Sequence, residues 1–190
     1  MKPLKFIIIL LVFFNFSCDE IEELLEEDIE VSISFQGLLE VESETLLNPE
    51  DQVEFNSEAA TYNILQDPEI AELLESGSGT GEIKKIEITQ IRYLFQNFEG
   101  NSDAVATGVF QLLDPSMFIQ GFETVQTNLA SADQNNSLYT IDGDFTEINE
   151  RLTDSGSLII LFAGTASDNP VYFDVDVTVF VKVTITPPDL

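Results

Sequence analysis

Carboxylates are the only abundant reactive groups in this sequence. Aspartate and glutamate number 35 against 7 lysines and arginines, histidine and tryptophan are absent, and the single cysteine stands at position 18. Imidazole-based triads, histidine metal sites and disulfide frameworks are thereby excluded. The formal charge of −28 also argues against nucleic acid as a partner. Seven cations in such an acidic field cannot build the basic face that phosphates require.

Two chemistries stay open to the carboxylates. Asp142-Gly143-Asp144 in a turn, with Glu147 nearby, offers hard oxygen ligands of the kind calcium takes, and Asp168-Asn169 with Asp174 and Asp176 offers a second group. Neither follows the twelve-residue EF-hand spacing. The ordinary roles of the same residues are a hairpin turn at Asp142-Gly143, a helix cap at Asp144 and the wet face of a strand at Asp174 and Asp176. A glycosidase needs two carboxyl groups across a cleft, about 5 to 9.5 Å apart. With acids so plentiful, no pair stands out. The loop Gly77-Ser78-Gly79-Thr80-Gly81 lacks the lysine and the strand-to-helix context of a phosphate cradle, and reads as a connector.

Cys18 is the most informative position. It follows two lysines, an unbroken apolar run from Phe6 to Phe14, and Asn15-Phe16-Ser17. Nine apolar residues rise only about 13 Å as a helix, too short for a hydrocarbon layer of about 30 Å, so the run reads as a signal peptide. Its boundary resembles the lipobox of bacterial lipoproteins, with the small Ser17 before the cysteine, although Asn15 and Phe16 depart from the usual small-then-leucine pattern. The resemblance covers about the first eighteen residues. It implies acylation of Cys18 and removal of residues 1–17. Buried acyl chains hold a protein to a bilayer at roughly 0.8 kcal/mol per methylene.

Cleavage there leaves five cations, Lys84, Lys85, Arg92, Arg151 and Lys182, against all 35 acids. Eight of the twelve residues from Asp19 to Glu30 are acidic. This block resembles the acidic surface-export tags of some Gram-negative lipoproteins, and is equally a solvated spacer. The expected organisation is a signal peptide at 1–17, a lipidated cysteine and acidic tether at 18–30, and one domain at 31–190.

The elements that must position any site read as strands. Val171, Phe173, Val175, Val177, Val179, Val181, Val183 and Ile185 alternate with mostly polar residues, which is the period of a half-buried strand. A strand of that length calls for a bend, a bulge or a passage between sheets. Phe180 breaks the alternation on the polar side, as a ligand patch or beneath a helix or loop. Val31, Ile33, Phe35, Leu39 and Val41 share one parity. Ile86 and Ile88 hold one phase and Ile91, Tyr93 and Phe95 the other, the trace of a β-bulge. Val105–Leu112 and Leu158–Ala163 are apolar on both faces, as central strands are. Weaker strands are expected at 53–55, 118–127 and 138–141. Asp67-Pro68 opens one short helix, and Asp144 with Glu147 resembles a capping box for another that stops at Gly156. Each helix is expected to plug an end of the sandwich.

The fold class expected is therefore mainly β, an antiparallel β-sandwich with one or two short helices. The function expected is non-enzymatic binding or scaffolding at the bacterial envelope, on a lipid anchor in the outer membrane, with an envelope protein or glycan as partner. No cofactor is required, with calcium the one candidate. Two alternatives are a carboxylate-dependent glycan hydrolase and an apolar-ligand carrier whose two-sided strands enclose a cavity.

Overall fold

The computed structural model describes residues 28–43, 52–75, 81–141 and 143–186. Cys18, the signal peptide, the acidic tether up to residue 27, the glycine-rich loop at 77–80, Asp142 and Pro187-Pro188 lie outside them. Ten strands run in chain order: β1 (Ile29–Glu42), β2 (Val53–Asn56), β3 (Ala60–Asn63), β4 (Glu82–Glu99), β5 (Val105–Leu113), β6 (Ile119–Glu123), β7 (Thr127–Asn128), β8 (Tyr139–Ile141), β9 (Ser157–Ala166) and β10 (Tyr172–Thr186). Three helices join them: α1 (Pro68–Glu75), α2 (Leu129–Gln134) and α3 (Thr146–Ser155).

The strands form two antiparallel sheets, β1-β10-β4-β8 and β2-β9-β5-β6, with β3 added beside β9 and β7 beside β5. When β2/β3 and β6/β7 are each counted as one interrupted strand, the pairings nest: first with last, second with seventh, third with sixth, fourth with fifth. One long hairpin folded across two sheets gives that order, which is the winding of a jelly roll. The expected antiparallel sandwich is what the chain forms.

Period-two patterning builds the interface between the sheets. On β10, Phe173, Val175, Val177, Val179, Val181, Val183 and Ile185 are all buried, as are Val31, Ile33, Phe35, Leu39 and Val41 opposite them. Between the sheets lies a block of rings: Tyr93, Phe95 and Phe173 from one, Phe55, Phe110 and Phe162 from the other. Neighbouring centroids are 4.7 to 5.9 Å apart, mostly tilted or edge-on, the geometry favoured by the aromatic quadrupole. Burial holds the Tyr93 hydroxyl neutral, its pKa pushed up to about 12 with help from the neighbouring Tyr139.

Close approach in the second sheet depends on two glycines. A Cβ on Gly108 would stand 2.3 Å from the Phe162 ring, and one on Gly164 would stand 2.2 Å from the Thr107 carbonyl oxygen.

The long C-terminal strand stays in one sheet, pairing with β1 without interruption from Ile29–Ile185 to Glu42–Tyr172. The irregularity falls on β4. Its extra residue Thr89 is the expected bulge, and two further register shifts lie at Lys84 and near Asn97. β5 and β9 are central strands, as their two-sided apolar character implies. On their second faces Val109, Ile159 and Leu161 are half-buried on the outside of the second sheet, where Val109 borders a hollow of 280 Å³ with Gln111 and Ala163.

The helices differ more from expectation. Asp67 does cap α1, accepting from the Glu69 amide at 3.0 Å, and also accepts from the Tyr62 hydroxyl at 2.7 Å. α3 begins after Phe145, which makes no side-chain cap, and Asp144 one residue earlier accepts from the Thr146 amide instead of forming a capping box with Glu147. Rather than plugging an end, α3 flanks β4. Its Asn149 and Thr153 side chains accept from the Ile88 and Ile86 amides at 2.8 and 2.9 Å. The unforeseen helix α2 is capped by Asn128, whose side chain accepts from the Ser131 amide.

The glycine contacts generate a graded prediction. Gly164→Ala drives a methyl into backbone and should cost about 3 kcal/mol or more. Gly121→Ala, which meets only a Val109 methyl at 3.1 Å, should stay within about 1 kcal/mol of the parent. Urea unfolding of the two variants checks the order.

Candidate functional site

The outer face of the first sheet carries the residues left over by the core pattern. The register sets them in rows across β1, β10 and β4: Glu30–Thr184–Lys85, Ser32–Lys182–Glu87, Ser34–Phe180–Gln90, Gln36–Thr178–Arg92, Leu38–Asp176–Leu94, Glu40–Asp174–Gln96 and Glu42–Tyr172–Glu99. Charge is graded along this face. At one end Lys182 meets Glu30 at 2.6 Å and Lys85 meets Glu87 at 2.7 Å. The hydrogen bond to Glu30 raises the Lys182 ammonium above its ordinary pKa. Such exposed pairs add little stability.

At the other end, among the described residues, the acids have no cation in ion-pair reach. Glu40 lies directly opposite Asp174, a like-charge pair that destabilises a sheet. Asn97, at φ 55°, brings its side-chain amide to Asp174 at 2.7 Å. A cleft of 410 Å³ opens here between Glu40, Glu42, Glu58, Glu99, Tyr172 and Asp174.

The centre is neutral except for Arg92, whose guanidinium lies 4.9 Å from the Phe180 ring centroid. Phe180, the apolar exception on the polar parity, is thus half-buried and faced by a cation. Among the described residues Arg92 has no carboxylate in ion-pair reach, whereas Lys84, Lys85 and Lys182 each do.

Of the first calcium group, Asp142 lies outside the described residues. The Asp144 carboxylate is occupied by Thr146, accepting from its hydroxyl at 2.5 Å and its amide at 2.9 Å, and these bonds hold its pKa below the usual range. Glu147 is exposed in the first turn of α3. In the second group, Asp168 accepts from Asn101 and Ser167, and Asp174 from Asn97. Among the described residues no three acidic side chains converge as a metal site.

The least expected carboxylate is Asp114, buried in the turn between β5 and β6. It accepts from the Ser116 hydroxyl at 2.7 and 2.8 Å and from the Phe118 amide at 2.9 Å. Burial pushes its pKa up, but the Ser116 and Phe118 hydrogen bonds and nearby Arg151 outweigh that, and the net shift is downward. Arg151 also lies 5.1 Å from the Phe118 ring centroid. Asp114-Pro115-Ser116 has the residue types of a turn, the local signal that could have pointed to it. The approach of Arg151 from α3 has no such signal. Asp114 and Asp144 are thus both biased toward their charged forms by hydrogen bonds.

No known protein family matches the sequence, and no curated protein matches it. Solved structures similar in part include chains of viruses. A Desmodium yellow mottle tymovirus chain is 8% identical at TM-score 0.34, over 86% of this chain and 91% of that one. A turnip yellow mosaic virus chain is 8% identical at TM-score 0.35, over 86% and 84%. A chain of the Triatoma virus empty capsid is 12% identical at TM-score 0.36, over 88% and 94%. At such scores none of them bears on the function of this chain.

Asp114 generates a pH prediction. A carboxyl whose folded pKa is depressed contributes stability above its unfolded value, near 3.9, and that contribution disappears as pH falls through the folded value. Asp114→Ala should cost about 1 to 3 kcal/mol at neutral pH through lost charge-assisted hydrogen bonds. The gap between parent and variant should narrow below about pH 4. Thermal unfolding from pH 7 to pH 2 measures both effects.

Proposed function

We propose that this chain is a lipid-anchored binding or scaffolding module of the bacterial envelope, without enzymatic activity of its own. The observation that carries the reading is the placement of the only cysteine, Cys18, between an apolar run and an acidic segment. Folded structure follows at once, since β1 opens at Ile29, only eleven residues beyond Cys18. Acylation at Cys18 would hold the domain at an outer-membrane surface. The acidic tether would be pushed away from anionic lipid over about a Debye length, near 8 Å at physiological salt.

The architecture suits such a role. A jelly roll with a ring-filled interior presents broad, fixed outer faces, and a face of graded charge selects partners by sign and position. The partner is an envelope protein or a glycan. Calcium would bridge acids on these faces and needs no dedicated cage for the reading to hold.

Cys18→Ser should move the protein from the membrane to the soluble fraction of its host, with an unchanged circular dichroism spectrum. Retention in the membrane fraction after an alkaline wash would defeat the anchoring part of the proposal.

A further inference from the structure

The two edges of the first sheet are treated differently. Along β4 the edge is capped at several points between Ile86 and Phe98. Thr153 and Asn149 take the Ile86 and Ile88 amides, β8 pairs with Ile91–Tyr93, and Asp133 of α2 takes the Asn97 and Phe98 amides at 3.1 and 3.3 Å. The opposite edge is β1. Its register continues to Ser43, whose amide donates to the Val171 carbonyl at 3.0 Å. In an antiparallel pair the directly bonded residues alternate. The odd residues of β1 therefore bond to β10, and the even residues direct N–H and C=O outward. Val41 bridges to Ser57 at one end. From there back, Glu30, Ser32, Ser34, Gln36 and Leu38 have no backbone partner on that side among the described residues.

Edges left open in this way are usually blunted by proline, a bulge or an inward-pointing charge. From Ile29 to Glu42 there is no proline, the pairing with β10 is unbroken, and the inward parity is apolar but for Gly37. Only outward acids guard it. They also select what could add there. A two-fold antiparallel pairing of β1 with itself sets Glu30 against Glu42 if centred on Gln36, or Asp28 against Glu40 if centred on Ser34. Each copy also carries a net charge of −28. A strand bearing cations meets the opposite situation, with Glu40 and Asp176 uncompensated nearby and Leu38 51% exposed beside them.

We propose that the β1 edge between Glu30 and Leu38 receives an extended segment of a partner protein, alternating lysine or arginine with apolar residues, as an added strand of the sheet. This rests on the binding reading above and names the partner's chemistry. Main-chain bonds to the five outward residues supply affinity, and Glu40 and Asp176 at the Leu38 end supply sign selection, since Glu30 is already paired with Lys182.

The test uses the full-length protein in detergent and a blocked nonapeptide, (Lys-Val)4-Lys. A (Lys-Pro)4-Lys peptide of equal charge, which cannot complete a ladder, measures simple electrostatic attraction. The Lys-Val peptide should slow hydrogen exchange at the Glu30, Ser32, Ser34, Gln36 and Leu38 amides by at least about tenfold, and the Lys-Pro peptide should not. Ser34→Pro removes an outward amide, and Gln36→Lys adds repulsion without changing the backbone. Each should weaken Lys-Val binding by about tenfold or more.

Equal binding of the two peptides, binding without protection of those five amides, or undiminished binding by a natively folded Gln36→Lys variant would overturn the proposal. So would a dimer in sedimentation that protects the same amides without peptide, because a second copy would then be the occupant. Crosslinking in intact cells separates the two readings. A neighbour captured away from β1 leaves the binding module standing and removes the edge, whereas peptide addition at β1 with glycan cleavage by the purified protein removes the non-enzymatic reading alone.

Discussion

The interleaving of aromatic rings between the two sheets is the constraint on which the rest of this molecule depends. Phe95, Phe110 and Phe162 are essentially inaccessible to solvent, and each touches rings from the facing sheet. Rings of this size need thin backbone around them, and Gly108 provides it beneath Phe162. Gly164 leaves room for the Thr107 carbonyl, the Gly108 Cα and the edge of the Phe55 ring. Once the rings interlock, neither sheet can slide, because one residue of slippage turns every apolar side chain to the other face.

That lock fixes where charge must go. With the inward parity filled by valine, isoleucine and phenylalanine, the acidic side chains are confined to outer faces, turns and helix surfaces. The outer face of the first sheet then becomes a graded surface, from paired charges at Lys182 and Lys85, through the Arg92–Phe180 contact, to unpaired acids at Glu40 and Asp174. The destabilising Glu40–Asp174 opposition is tolerated because it lies at the wet end of the sheet, where water and the Asn97 amide moderate it. Net charge of this size disfavours self-association while leaving cationic partners attractive.

Edges obey the same logic. β4 is bent by three register shifts, which already disfavour accidental pairing, and the chain also covers it with side chains from two helices and one short strand. Asn149, Thr153 and Asp133 carry polar atoms at the spacing needed to replace a missing strand. Their role is architectural, and it uses up groups that otherwise resemble parts of a binding pocket. A cleft of 660 Å³ beside α3 is lined by Asn149 and Thr153, whose acceptor atoms already serve the β4 amides.

Local rules made much of this legible in the linear chain. The period-two run ending at Ile185, the parity change between Ile88 and Ile91, the Asp67-Pro68 helix start and the Gly156 stop all depend on residues within a few positions of one another. The lipobox resemblance at Cys18 is likewise carried by consecutive residues, as an expectation. Not legible were the Asp114–Arg151 approach, the six-ring block, the use of Asn149, Thr153 and Asp133 as edge caps, the short strand β3 and the helix α2. Each joins residues tens of positions apart, or is too short for periodicity to register. Composition and pattern alone determined the sandwich, its inward residues and the acidity of its surface, because burial and alternation are properties of neighbouring side chains. Which strands lie side by side, which edge is capped and which stays open were decided only by the tertiary winding, because nested pairing brings together segments that share no local signal.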